Sequence, residues 1–303
     1  MKNWIIVIIF LLSISLYGQE PLFYLGDSDL PTATKEKENT IELILNKEVF
    51  NNILQNRVKN KIIEIPYITG KLKFKLDRFD FYKSDIKFIS KTNRGDEKLD
   101  IIPTLLSYTM ILDGNDVGII NFVNNKIVAS FKLENKQFEI TEFNGKYILF
   151  EATNSINSSN FSCAVENNYE SISPPISQLP QSTPVCVELA IEIDFYTRQT
   201  FNSDLESINW ALAIFAGVSQ IYESETNAAI QVNYTYIWNT VDPYSVFIAQ
   251  SSAMLSELKN YWQTNNAGIN RDLVHLLTKR TNTGTGGIAY LDVLCDNNFG
   301  YGF

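Results

Sequence analysis

The chain has 303 residues, 45% of them apolar and 13% aromatic, which is a globular composition long enough for two cored domains and excludes a disordered or low-complexity protein. Its net charge of −9 is unevenly spread: residues 1–150 hold 20 Lys and Arg against 19 Asp and Glu, whereas residues 151–303 hold 5 against 15, so the two parts carry +1 and −10. An acidic second half argues against nucleic acid as a partner and mildly favours cations such as calcium.

Residues 1–18 have the build of a secretory signal peptide: a charge at Lys2, an apolar run from Trp4 to Leu12, then a polar-to-small end reaching Gly18. The run is too short to span a bilayer, so the mature protein is expected outside the cell and off the membrane, as a monomer. Cys163, Cys186 and Cys295 then meet an oxidising compartment, where an odd count leaves at least one without a partner in this chain.

Residues 19–153 read as a β-rich domain. Segments 71–81, 117–122, 127–133 and 136–150 alternate apolar and polar, with Asp113-Gly114-Asn115 and Asn144-Gly145 as turns, a pattern for antiparallel strands. Segment 47–58 is helical by the spacing of Val49, Phe50, Ile53, Leu54 and Val58. This half offers no nucleophile, ligand cluster or phosphate loop. Residues 154–184 are rich in Ser, Asn, Gln and Pro, with Pro174, Pro175, Pro180 and Pro184, and read as an exposed linker of the kind processing proteases cut.

From residue 185 strands and helices alternate. Residues 185–195 form a strand. Ser203 and Glu206 make a capping box ahead of Ile208, Ala211, Leu212, Phe215 and Val218 at helical spacing. A second strand covers 229–238, and a second helix covers 252–262 with Met254, Leu255, Leu258, Tyr261 and Trp262 on one stripe. Short strands follow at 273–277 and 287–294. The alternation predicts an α/β domain with a mostly parallel sheet over 185–303. Glu192 and Asp194 share a strand face and are expected to face solvent.

The segments VELAIEIDFYTRQTF, INWALAIFAGVSQIYE, IQVNYTYIWNTVDPY, RDLVHLLTKR and GGIAYLDVLC, in that order and spacing, resemble the first part of the catalytic domain of reprolysin-type (adamalysin/ADAM-like) zinc metalloendopeptidases, a metzincin branch, in a bacterial secreted form. The resemblance implies an incomplete metzincin catalytic domain at 185–303, a mixed, mostly parallel sheet with two helices. It also implies that Gly287, Ile288, Ala289 and Tyr290 lie on an edge strand that binds peptide substrates by β-augmentation. Glu188 and Asp272 match calcium ligands of the family, and Cys295 matches a cysteine that pairs beyond the segment; a Cys186–Cys295 disulfide is the competing pairing. The first half more loosely resembles the family's propeptide, with Cys163 at the place of the latency cysteine, although Ala164 stands where Gly is common.

The family's H-E-x-x-H-x-x-G-x-x-H helix, which carries the zinc ligands and the general base, does not occur in the chain. The one histidine, His275, lies within a predicted strand and cannot form a zinc site alone, and no G-x-S-x-G elbow accompanies it. The expectation is a secreted metalloendopeptidase precursor truncated before its zinc helix and inactive as given. The alternative is a non-catalytic secreted binding or inhibitory protein with a structural α/β remnant.

Overall fold

The computed structural model describes residues 20–26, 40–152, 163–166, 185–294, 296 and 298–303. Residues 1–18, read above as a signal peptide, most of 154–184, read as a linker, and Cys295 lie outside the described residues, and for 163–166 the description is of the backbone.

The amino-terminal half runs β1 (Phe23–Leu25), β2 (Ile41–Leu45), α1 (Lys47–Asn56), β3 (Asn60–Tyr67), β4 (Gly70–Arg78), β5 (Tyr82–Thr92), β6 (Gly95–Lys98), β7 (Leu106–Leu112), β8 (Asn115–Val123), β9 (Lys126–Leu133), β10 (Lys136–Phe143) and β11 (Lys146–Glu151). Nine of these strands form an antiparallel sheet in the order β1-β2-β11-β10-β9-β8-β7-β4-β3. Four of its hairpins close through two-residue turns in which both residues have positive φ: Asp113-Gly114, Asn124-Asn125, Glu134-Asn135 and Asn144-Gly145. That conformation matches the right-handed twist of the flanking strands and suits Asn and Gly. The first and last strands of the order, β1 and β3, come back into contact, so the sheet curls around its core. Asn46 caps α1 by accepting from the amides of Glu48 and Val49, and the helix packs Val49, Phe50 and Ile53 against Phe122, Phe74 and their neighbours. Burying three such side chains stabilises the docked helix by roughly 1.5–3 kcal/mol each.

The carboxy-terminal unit runs β12 (Cys163–Glu166), β13 (Val185–Ile193), a short helix α2 (Phe195–Arg198), α3 (Asp204–Thr226), β14 (Ala228–Trp238), a 3-10 turn (Pro243–Val246), α4 (Ser251–Asn265), β15 (Leu273–Leu277), β16 (Gly287–Tyr290) and β17 (Tyr301–Gly302). Its eight-stranded sheet has the order β12-β16-β17-β15-β13-β14-β5-β6. β13 pairs in parallel with β14 and β15, β14 with β5, β15 with β17 and β12 with β16, while β16·β17 and β5·β6 are antiparallel. The sheet is therefore mixed and mostly parallel, with α4 on one face and α3 on the other.

Two features cross the division read from the sequence. The hairpin β5–β6 is carried by the amino-terminal half yet extends the second sheet along β14. Helix α3 contacts β7 and β8 of the first sheet as well as β13 and β14 of the second, so it is sandwiched between the sheets. One apolar cluster draws on both halves, with Phe81, Phe88 and Ile119 packed with Ile191, Leu212 and Ile237.

Candidate functional site

Strand β16 sits near one end of the second sheet. Towards the interior it meets β17: the Ile288 amide donates to the Phe303 carbonyl and the Phe303 amide donates to the Ile288 carbonyl, both at 3.0 Å. Because Ile288 directs its backbone groups to that side, Gly287 and Ala289 present theirs to the other. There β12 runs parallel to β16 with Cys163 opposite Gly287, Ala164 opposite Ile288, Val165 opposite Ala289 and Glu166 opposite Tyr290. Ile288 and Tyr290 are buried, whereas Gly287 and Ala289 are half-buried. The close approach of β17 requires the glycine, since a Cβ on Gly287 would lie 2.7 Å from the Phe303 carbonyl oxygen. The site is thus a small-residue strand whose outer edge already holds a second extended segment of the same chain.

Beside β16 an apolar groove of about 610 Å³ runs between α3 and strands β15–β17, lined by Phe215, Val218, Leu273, His275 and Ala289 among others. Ile214, Tyr222, Leu291 and Leu294 on its rim are exposed. His275 meets Phe215 edge-on, ring centroids 5.4 Å apart, and burial pushes its imidazole down to about 4, so it is neutral at physiological pH. Among the described residues no three His, Cys, Asp or Glu side chains come together to hold a metal ion, so a catalytic zinc does not fit the residues present here.

Glu188 and Asp272 are adjacent: the Asp272 carboxylate accepts from the Glu188 amide at 2.7 Å, and the Glu188 carbonyl accepts from the Asp272 amide at 2.8 Å. The Glu188 carboxylate accepts from Lys83 of β5, from Asn233 Nδ2 at 2.9 Å and from Asn270 Nδ2 at 2.8 Å. The groups around it are donors, and a lysine ammonium stands where a cation would have to bind. Cys186 is exposed, its Sγ 3.7 Å from Gln231 Oε1, and among the described residues it has no disulfide partner, Cys295 lying outside them.

Glu192 and Asp194 are fully buried, contrary to the solvent-facing expectation. Glu192 accepts from the indole N–H groups of Trp238 and Trp262 and from the Tyr244 hydroxyl at 2.7 Å, with no cation beside it. Desolvation pushes its carboxyl up to about 7, against the pull of the three donors. Asp194 caps α2 by accepting from the Thr197 amide at 2.7 Å, and Arg280 lies 3.3 Å from it and 2.7 Å from Asp242. These carboxylates lock the ends of β13, β14 and α4 together. The signal for Glu192 was the set of aromatic donors Trp238, Tyr244 and Trp262, which period-2 reading of one strand does not connect.

An α/β sheet with an edge strand that takes up an extended segment is an architecture for binding peptides in extended form. Residues 210–303 match the family described as metallo-peptidase family M12B, reprolysin-like. Residues 210–303 are thus similar to that family, as the segments from INWALAIFAGVSQIYE onward led one to expect. No curated protein matches the chain. Among solved structures, that of metalloproteinase-II from Bacteroides fragilis is similar at 9% identity and a TM-score of 0.46, covering 82% of this chain and 77% of that one. No helix among the described residues is long and apolar enough to cross a membrane.

Proposed function

We propose that the protein is the precursor of a secreted zinc-dependent metalloendopeptidase. Residues 19–153 would be its propeptide domain and residues 154–184 the segment cut on activation, with the zinc ligands supplied outside the described residues. The observation that carries this reading is β12 seated on β16 within a unit of which residues 210–303 match the reprolysin-like family. A strand that already binds one extended segment through its main chain is suited to hold a protein or peptide substrate the same way, any sequence being acceptable to backbone hydrogen bonds. Gly287, Ile288, Ala289 and Tyr290 would receive the substrate once β12 has left.

Latency follows from the same pairing, because β12 covers the edge that a substrate needs. Cys163 stands at the first position of that strand, opposite Gly287, and the proposal assigns it the role of latency cysteine. As given, the chain is proposed to be inactive, with no chemical step assigned to its described residues. Glu188 and Asp272 remain candidate calcium ligands once Lys83 is displaced.

The test is an assay of the purified chain on casein or gelatin with zinc and calcium present, where no hydrolysis is expected. Robust hydrolysis blocked by a chelator would overturn the placement of the zinc ligands outside it. Reading the coding DNA past codon 303 decides the family question: an H-E-x-x-H-x-x-G-x-x-H motif supports the peptidase precursor. A stop followed by unrelated sequence favours a non-catalytic secreted binding protein.

A further inference from the structure

We propose that the amino-terminal half is a permanent part of the carboxy-terminal unit, remaining bound after the connecting segment is cut, and that only the β12 segment is held loosely enough to leave. This inference concerns how the halves are joined and stands whether or not the protein is a peptidase.

The two edges of the second sheet differ in what closes them. At one end, β14 is covered by β5 in parallel register, from Val232 opposite Tyr82 to Trp238 opposite Lys91. Val232, Thr235, Tyr236 and Ile237 of β14 are fully buried in that arrangement. Without β5, residues 232–238 of β14 would present an unpaired backbone edge to water, the situation that soluble proteins avoid. At the other end, among the described residues, β12 covers β16 at four positions, Cys163 to Glu166.

The side chains repeat the contrast. The cluster that joins Phe88 and Ile119 to Ile191, Leu212 and Ile237 is one continuous apolar core with contributions from both halves. Each half also closes a core of its own, and this third cluster is the apolar seam that joins them.

Asn209 on α3, only 1% exposed, finds every one of its side-chain partners in the amino-terminal half. It donates to Thr104 Oγ1 at 2.8 Å and Asn124 Oδ1 at 3.1 Å, and accepts from the Thr104 amide at 3.1 Å. Asn121 and Asn124 in turn donate to the carbonyls of Ala213 and Glu206 on the same helix. At the β14 edge the Tyr236 hydroxyl donates to Asp96, and Asn239 donates to Ser90 Oγ. Separating the halves would strip partners from buried polar groups and apolar cover from α3 and β14 together, whereas removing β12 uncovers one short edge of small residues. The polypeptide link is thus incidental to the association of the halves but necessary to hold β12.

The experiment cuts the intact folded chain. Recognition sequences for a site-specific protease are substituted into residues 153–160 and 171–180, and the uncut protein serves as the control for folding. After complete cleavage, size-exclusion chromatography without denaturant should give one peak holding the amino- and carboxy-terminal parts in equal amounts. The small β12 peptide should elute separately. Elution of the two large parts in separate peaks, or precipitation of the carboxy-terminal part alone, would overturn the permanent association. Co-elution of the peptide with the complex would overturn the claim that β12 is the loosely held element. If either substitution prevents folding, the remaining site is used alone: the two parts should still co-elute, and their separation would again sink the proposal.

Discussion

Lys83, carried by the amino-terminal half, pairs with Glu188 on β13 of the carboxy-terminal unit, and this ion pair occupies the position where the resemblance implies calcium. The hydrogen bond to Glu188 holds the lysine above the usual ammonium range. Calcium at millimolar concentration should therefore leave the melting temperature of the intact chain unchanged. Replacing Lys83 with Met should cost about 1 kcal/mol, the scale of a partly exposed pair, and should make the melting temperature rise with added calcium. A calcium-dependent rise of several degrees in the unmodified chain would mean that the ion displaces the lysine.

Gly118→Ala tests the packing of the first sheet. A Cβ at this position of β8 would collide with the Ser130 carbonyl oxygen and lie 2.5 Å from Phe131 Cα, both on the neighbouring strand β9. Backbone cannot move aside as a flexible side chain can, so β8 and β9 must separate. A loss of about 3 kcal/mol or more in urea unfolding is expected, at the upper end of overpacking effects. A loss below 1 kcal/mol would show that the two strands yield.

Amide exchange on β16 separates main-chain pairing from any role of the thiol. Ala164→Pro removes an amide of β12 that faces β16 and restricts the backbone there, so the pairing with β16 should weaken. Exchange should then accelerate at Gly287 and Ala289, which face β12, and stay slow at Ile288, which is bonded to Phe303. Cys163→Ala should alter none of the three. Faster exchange at all of them in either variant would point to loss of the whole edge rather than of one strand.

Local chemistry was legible and distant partnership was not. The turn at Asn144-Gly145 and the cap at Ser203 could be read because each is made by residues a few positions apart, and the Glu206 amide indeed donates to Ser203 Oγ at 3.2 Å. For α3 only the stripe through Ile208, Leu212 and Phe215 was visible. Its second buried face, centred on Asn209, is defined by Thr104 and Asn124, far away in the chain. The strand β5 reads as an ordinary alternating segment, and nothing within it says that its neighbour is β14. At the candidate site, the strand 287–290 was legible from the resemblance, whereas its pairing with Cys163–Glu166 required the register. Glu192 was misplaced for the same reason, since the three donors that let a carboxylate be buried come from elements 46 to 70 residues further on.

Glu192 and His275 give opposite and nearly cancelling dependences of stability on pH. For Glu192 burial raises the folded pKa to about 7 from 4.5, so its stabilisation is fully present below pH 4.5 and is lost as pH rises through 7. His275 behaves inversely: its folded pKa falls to about 4 from 6.5, so its stabilisation is present above 6.5 and is lost as pH falls through 4. Each shift corresponds to about 3 kcal/mol over the window from pH 4 to 7, and their sum is close to level. Glu192→Gln removes the first dependence, so the stability of that variant relative to the unmodified chain should climb by about 3 kcal/mol between pH 4 and 7. His275→Gln removes the second, and its relative stability should fall by a similar amount over the same range. Urea unfolding of the three proteins in matched buffers measures both differences. Should either variant run parallel to the unmodified chain across that window, the corresponding group does not titrate as its burial requires.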